Sequence, residues 1–242
     1  MRVKTSTALT GILAATAATA QNATSTCATG VYIIVARGSN EAPGSGRIGS
    51  VANGTFAAIP GSQIAPLDYP ATFDNYSTSV AAGAVALNAA LTSYNARCPN
   101  SKVALLGYSQ VSSRLIAVIL FGDPTHNVSA SWNKGTSKRN GLFPRENVTK
   151  CEAYASKIES YCDTGDIYCD LGNNTAVHGS YFANYTDDAV EFIWAQYNAS
   201  KSSNGSSPTA TPTTVPGSGA ADSAPGLLMS LAGLSMLAAF IL

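Results

Sequence analysis

Three residue types that together perform acyl transfer occur in a suggestive order. Leu105-Leu-Gly107-Tyr-Ser109-Gln-Val111 places a serine just past an apolar run, with Gly107 and Tyr108 between them. A tight turn there would lift the hydroxyl above the edge of a sheet, and such a turn needs small neighbours. A serine hydroxyl is a poor nucleophile until a base takes its proton and an acid orients that base. The chain has 2 histidines, His126 and His178, so the base must be one of them. Cys162-Asp-Thr-Gly-Asp166-Ile-Tyr-Cys169 presents an acid on a loop that a disulfide could hold, and His178 follows twelve residues after Asp166. Nucleophile, acid, base is one of the chain orders in which such triads occur. Spacing alone is met as well by a turn serine, a surface aspartate and a satisfied histidine.

Other chemistries find less support. No four His, Cys or carboxylate ligands stand at metal spacing, so neither a metal nor a cofactor is expected. Gly44-Ser-Gly46-Arg-Ile-Gly49 matches G-x-G-x-x-G but starts eight residues after the nearest strand pattern ends. No helical pattern opens there, so it reads as a flexible loop and not as a dinucleotide cradle. His126 reads as a structural or loop histidine. The 14 Lys+Arg balance 14 Asp+Glu, which argues against nucleic acid or an anionic membrane surface as the main partner. Charged residues make up 12% of the 242 and apolar ones 45%: a folded chain with a polar, uncharged exterior.

The elements that must position these residues read as α/β. Val31–Ala36, Val103–Leu106 and Ile116–Phe121 are continuous apolar runs, the pattern of strands buried on both faces. Val80, Ala84, Leu87, Leu91 and Tyr94 form one apolar helix face, and Val190, Ile193, Trp194 and Tyr197 another. A mainly parallel sheet covered on both sides, a three-layer α/β/α sandwich over residues 21–200, is expected.

The ends lie outside that domain. Arg2 and Lys4, the apolar run Ala8–Ala18 and Ala18-Thr-Ala20 have the order of a secretory signal peptide over residues 1–20. Residues 201–217 read as a Ser/Thr/Pro-rich stalk. Small residues at Gly217, Ser218 and Gly219 precede the 16-residue uncharged apolar tail Leu227–Leu242. Residues 218–242 are therefore expected to be a propeptide exchanged for a GPI lipid, which would be the membrane partner. Nine N-x-S/T sequons, at Asn22, Asn53, Asn75, Asn127, Asn147, Asn173, Asn184, Asn198 and Asn204, agree with a secretory route. In an oxidising compartment Cys162 and Cys169 could close a small loop. Cys27 and Cys98, each leading into a strand, could meet, which leaves Cys151 unpaired.

Several motifs in order give a resemblance. Ala36-Arg-Gly-Ser39-Asn-Glu41, Asp68-Tyr-Pro-Ala71, Cys98-Pro, Gly107-Tyr-Ser-Gln110, Phe121-Gly-Asp-Pro124 and the block Cys162–His178 are similar to the fungal cutinase and acetylxylan esterase family. Lys157-Ile-Glu-Ser-Tyr-Cys162 resembles the acetylxylan esterase branch more closely. The resemblance implies a small lidless α/β-hydrolase fold with Ser109 as nucleophile, His178 as base and Asp166 as its orienting acid. It further implies an oxyanion hole from Ser39 and the backbone N–H of Gln110, and the disulfides Cys27–Cys98 and Cys162–Cys169. The expected protein is a monomeric, secreted, surface-anchored serine esterase removing acetyl or other small acyl groups from a polysaccharide such as acetylated xylan.

One departure stands out. The family elbow reads G-Y-S-Q-G and leads into a long helix, but here Val111 follows Gln110. Only nine residues, Gly107 to Leu115, separate two strand patterns, where a parallel crossover needs about a dozen or more. The helix after the nucleophile is missing, as if about 20 or more residues had been lost between Gln110 and Val111, through a deletion or a gene-model error. Two alternatives follow: a cutin or lipid-ester hydrolase with the same chemistry, and a catalytically impaired GPI-linked wall glycoprotein on the esterase scaffold.

Overall fold

The computed structural model describes residues 26–108 and 116–202. Ser109, Gln110 and Val111 lie outside the described residues, as do the leader with Asn22 and the stalk and tail with Asn204, Gly217, Ser218 and Gly219. Six strands form one wholly parallel sheet in the order β2-β1-β3-β4-β6-β5. They are β1 Val31–Ala36, β2 Gln63–Pro66, β3 Lys102–Tyr108, β4 Ala117–Phe121, β5 Asn133–Lys134 and β6 Ile158–Tyr161. The central three are the β-branched and leucine-rich runs, and only the middle of a two-sided sheet asks for apolar side chains on both faces. β2 is an edge strand ending in Pro66, where a missing N–H costs no ladder bond.

One face carries α1 Gly49–Ala58 and α6 Thr186–Ser202, which pack on each other and on a core of Val31, Ile33, Val35, Leu106, Ile119 and Phe121. α2 Tyr76–Arg97 covers the opposite face through Leu87, Leu91 and Tyr94. In α6 Ala189, Ile193 and Tyr197 are buried, whereas Trp194 is exposed. The short helices α3 Thr149–Glu152, α4 Thr175–His178 and α5 Tyr181–Asn184 belong to the connections. Among the described residues no helix is long and apolar enough to cross a membrane.

The Cys27–Cys98 and Cys162–Cys169 disulfides are formed, and the thiol of Cys151 is free and buried beside Val118, Leu120 and Ile158. Closing the 71-residue span between Cys27 and Cys98 removes enough unfolded-state entropy to contribute roughly 4 kcal/mol. The sequons Asn53, Asn75, Asn147, Asn173 and Asn184 are exposed, while Asn127 and Asn198 are half-buried. Asn127 turns its amide inward, donating to the carbonyl of Arg145 at 2.8 Å.

Register explains the tension over the crossover. Tyr108 pairs with Phe121 and Ala104 with Ala117, so β3 and β4 are parallel neighbours. Eight residues, Ser109 to Ile116, connect them, too few for the usual helical return.

Candidate active site

The C-terminal ends of β1, β3, β4 and β6 lie along one edge of the sheet, where open α/β folds gather functional loops. The loop after β6 carries Asp166, whose side chain is fully buried and accepts four hydrogen bonds. Its Oδ1 takes the backbone N–H groups of Tyr168 (2.7 Å) and Cys169 (3.1 Å). Its Oδ2 takes the Tyr181 hydroxyl (2.7 Å) and lies 2.9 Å from Nδ1 of His178. Burial works against the charge on this carboxylate. His178, the Tyr181 hydroxyl and the Tyr168 N–H outweigh it and hold the acid below its ordinary range. An ionised carboxylate only accepts, so Nδ1 of His178 carries the hydrogen and Nε2 is left as the basic nitrogen.

His178 ends α4, which Asn174 caps by accepting the N–H of Ala176. Arg47 holds the following turn by donating to the Gly179 carbonyl at 2.6 Å while its guanidinium lies over Phe182. Tyr108, the last residue of β3, stacks on His178 with ring centroids 4.9 Å apart and donates to its carbonyl. The residue that precedes Ser109 is thus in contact with His178. Gly122, at φ +59°, lies beneath the histidine. A Cβ there would come within 2.8 Å of its ring, so glycine alone gives both the conformation and the clearance.

The loop after β1 is held from two sides. Arg37, almost fully buried, donates to the carbonyls of Glu41, Leu67, Tyr69 and Pro70. Glu41 accepts the N–H groups of Gly38 and Arg47. Between these anchors the hydroxyl of Ser39 is buried and has no hydrogen-bond partner among the described residues. A buried donor without an acceptor is what an oxyanion site requires before substrate arrives. The G-x-G-x-x-G segment corrects the loop reading in part, because α1 opens at Gly49. Gly46, at φ +55°, makes room for the Glu41 carboxylate, which a Cβ would meet at 2.1 Å. Gly46 thus serves a turn wrapped on a carboxylate, while Gly44 faces open space.

All three non-glycine residues with positive φ among the described residues, Asn40, Ala71 and Leu171, lie on loops bordering this site. Left-handed backbone costs about 1–3 kcal/mol per residue and persists where the surroundings impose it, most often near functional groups. Among the described residues no group of three His, Cys, Asp or Glu side chains could hold a metal ion.

Residues 27–197 match the family model described as Cutinase. The chain belongs to the cutinase family. This is a family of carboxylic ester hydrolases with an α/β-hydrolase-like fold. Acetylxylan esterase 2 of Talaromyces purpureogenus is 30% identical over 199 residues, covering 67% of this chain and 85% of that protein. Cutinase 11 of Verticillium dahliae is 32% identical over 215 residues, covering 74% of this chain and 71% of that one. A solved acetylxylan esterase structure superposes with a TM-score of 0.66 at 31% identity, covering 71% of this chain and 100% of its own. The 199 and 215 aligned positions exceed 67% and 74% of 242 residues, so both relatives carry residues with no counterpart here.

Two residues absent from the sequence reading join the cluster around Asp166 and His178. Tyr181 is fully buried, donates to Asp166 Oδ2 and accepts the N–H of Asp163 at 3.0 Å. Asp170, also fully buried, accepts from Arg139, Ser137 and the Gly165 N–H, and so fixes the acid loop. Tyr181→Phe leaves the Asp163 N–H without an acceptor and is expected to cost about 1–3 kcal/mol of stability. It also removes a donor that competes with His178 for the carboxylate. The acid limb of the kcat/KM pH profile for ester hydrolysis should therefore move to higher pH, and an unmoved limb would refute the coupling.

His126 takes no part in the pair. It is 2% exposed, and neither ring nitrogen has a hydrogen-bond partner among the described residues. Burial pushes its pKa below 6.5, and Arg145 pushes the same way, against Asp123, Asp170 and Asp166. A histidine with a depressed folded pKa binds protons more readily when unfolded, so its contribution is complete above about pH 6.5 and falls as pH drops below it. Unfolding free energy should decline from that pH downwards, and His126→Gln should flatten the decline. An equal slope in the variant would count against it.

Proposed function

We propose that this chain is a serine esterase that removes small acyl groups, acetyl foremost, from polysaccharide such as acetylated xylan. In this reading it is secreted and held at the cell surface by a GPI lipid. The observation that carries the reading is the pair of buried Asp166 and half-buried His178 at 2.9 Å, its histidine stacked against the tyrosine that leads into Ser109. Nε2 of His178 takes the Ser109 proton as the serine oxygen attacks the ester carbonyl. Ser39 and the Gln110 N–H receive the developing oxyanion, each donor supplying about 2.7–4 kcal/mol. The intermediate collapses to an acyl-serine as His178 returns the proton to the departing alcohol oxygen. Water, deprotonated by the same nitrogen, then releases the carboxylic acid and restores Ser109.

The test is hydrolysis of 4-nitrophenyl acetate by the secreted chain beside Ser109→Ala and His178→Ala. Activity confined to the parent chain supports the reading, and equal background in all three defeats it. The eight-residue β3–β4 connection favours a second reading, an impaired wall glycoprotein on the same scaffold. Rapid labelling of Ser109 by a fluorophosphonate separates them, because only an activated serine reacts quickly.

A further inference from the structure

Exposed apolar side chains are concentrated around His178. Of the nine large hydrophobic residues that are exposed among the described residues, Phe73, Leu142, Phe143 and Leu171 stand on three loops that converge there. Two half-buried tyrosines complete the set. Tyr168 meets the His178 ring edge-to-face at 4.5 Å and Phe73 at 6.1 Å, and Tyr76 stacks on Phe143 at 5.8 Å. Tyr168 and Phe73 thus step outward from His178, and Tyr76 with Phe143 forms a second pair, whose Phe143 loop is tied to Tyr168 through Leu142.

The set is built and held. The N–H of Leu142 donates to the carbonyl of Tyr168, and that of Phe143 to Pro124. The N–H of Phe73 donates to the side chain of Asn40, the neighbour of Ser39. Two of its loops bear positive-φ residues, Ala71 (φ 50°) and Leu171 (φ 51°). A leucine kept both in left-handed backbone and 49% exposed is doubly unfavourable for folding alone.

We propose that this aromatic rim is a carbohydrate subsite that stacks a sugar ring of the acetylated polysaccharide beside the catalytic pair. The proposal rests on the esterase reading and names the part of the site that holds the polymer. Phe73 and Phe143 are 50% and 56% exposed and Tyr76 and Tyr168 half-buried, so aromatic ring face is open to a ligand along the rim. A pyranose needs one such face for its C–H bonds and keeps its hydroxyls in water. A fatty acyl chain needs enclosure on several sides, as apolar ligand pockets provide. The rim is continuous with the site, and the polar groups beside it, Asn40, Thr72 and Asn173, suit sugar hydroxyls.

The test is affinity electrophoresis of the enzymatically deglycosylated protein through gels containing acetylated xylan, because the sequons Asn75 and Asn173 flank the rim. Retardation of the parent chain, weakened about tenfold in Phe73→Ala and in Phe143→Ala, regained in Phe73→Trp and not in Phe73→Leu, supports the subsite. Trp194→Ala, which removes an exposed aromatic on α6, should migrate as the parent does. An unretarded parent chain overturns it. So does rescue by Phe73→Leu with selective loss of long-chain 4-nitrophenyl esters, which would make the occupant an acyl chain. Hydrolysis of 4-nitrophenyl acetate, followed in parallel, keeps the two readings apart. Retardation without hydrolysis defeats the esterase and leaves the rim, and hydrolysis without retardation defeats the rim alone.

Discussion

Replacing Asp166 by Asn should lower kcat for 4-nitrophenyl acetate about ten-thousand-fold with little change in fold. The hydrogen bonds around Asp166 dictate which way the amide turns. Oδ1 accepts the N–H groups of Tyr168 and Cys169, so the amide oxygen must occupy that position. The amide nitrogen then faces His178 Nδ1 and the Tyr181 hydroxyl, where it can only donate. Nδ1 becomes the acceptor, the ring proton moves to Nε2, and the nitrogen that should take the serine proton already carries one. The Tyr181 hydroxyl can turn to accept, so the site stays satisfied while its base is lost. Nitrogen NMR of the His178 ring should report the tautomer directly. A loss of less than tenfold would mean that Asp166 does not orient the base.

Arg145→Ala should destabilise the protein by about 3–5 kcal/mol. Arg145 and Asp123 are 3% and 4% exposed, and their charged groups lie 2.7 Å apart. Arg145 also donates to the Thr125 carbonyl, and Asp123 accepts the N–H and hydroxyl of Thr125. Removing the guanidinium strands a buried carboxylate beside His126. The damage should reach the site, because Leu142 and Phe143 lie just before Arg145 and are stitched to Tyr168 and Pro124. Urea unfolding of Arg145→Ala measures the cost. Replacing Asp123 and Arg145 together by apolar residues should recover much of it, since the penalty is mainly that of the unpaired charge. A single-variant loss below about 1 kcal/mol would show the pair to be hydrated and unimportant.

Residue type and spacing alone made the middle of this protein legible. β1, β3 and β4 are apolar on both faces, and α2 repeats its apolar side chains every third or fourth residue. Burial has already selected such residues, so the pattern survives without knowledge of their neighbours. The elements that were missed lack that pattern. β6 is Ile-Glu-Ser-Tyr, β2 is a short edge ending in proline, and α1 is a short helix that holds two glycines. Each exists because a neighbour already in place supplies its partners.

The site divides in the same way. The order Ser109, Asp166, His178 and the cysteines flanking Asp166 are visible as text, because a triad needs those residue types and a stiff acid loop. Spacing alone does not say which carboxylate serves His178; the family resemblance names Asp166. Asp163, Asp166 and Asp170 share that loop, and only the folded chain puts Asp166 Oδ2 at 2.9 Å and turns Asp163 toward Tyr185 and Asp170 toward Arg139. Tyr181, Arg47 and Tyr108 bear on the pair from elements distant in sequence, and no local signal marks a tyrosine as the one that will donate to an acid. Local sequence determines which segments become buried strands and which side chains can do chemistry. Tertiary structure alone decides which donor meets which acceptor, because hydrogen bonds act over about 3 Å and depend on where every other element has packed.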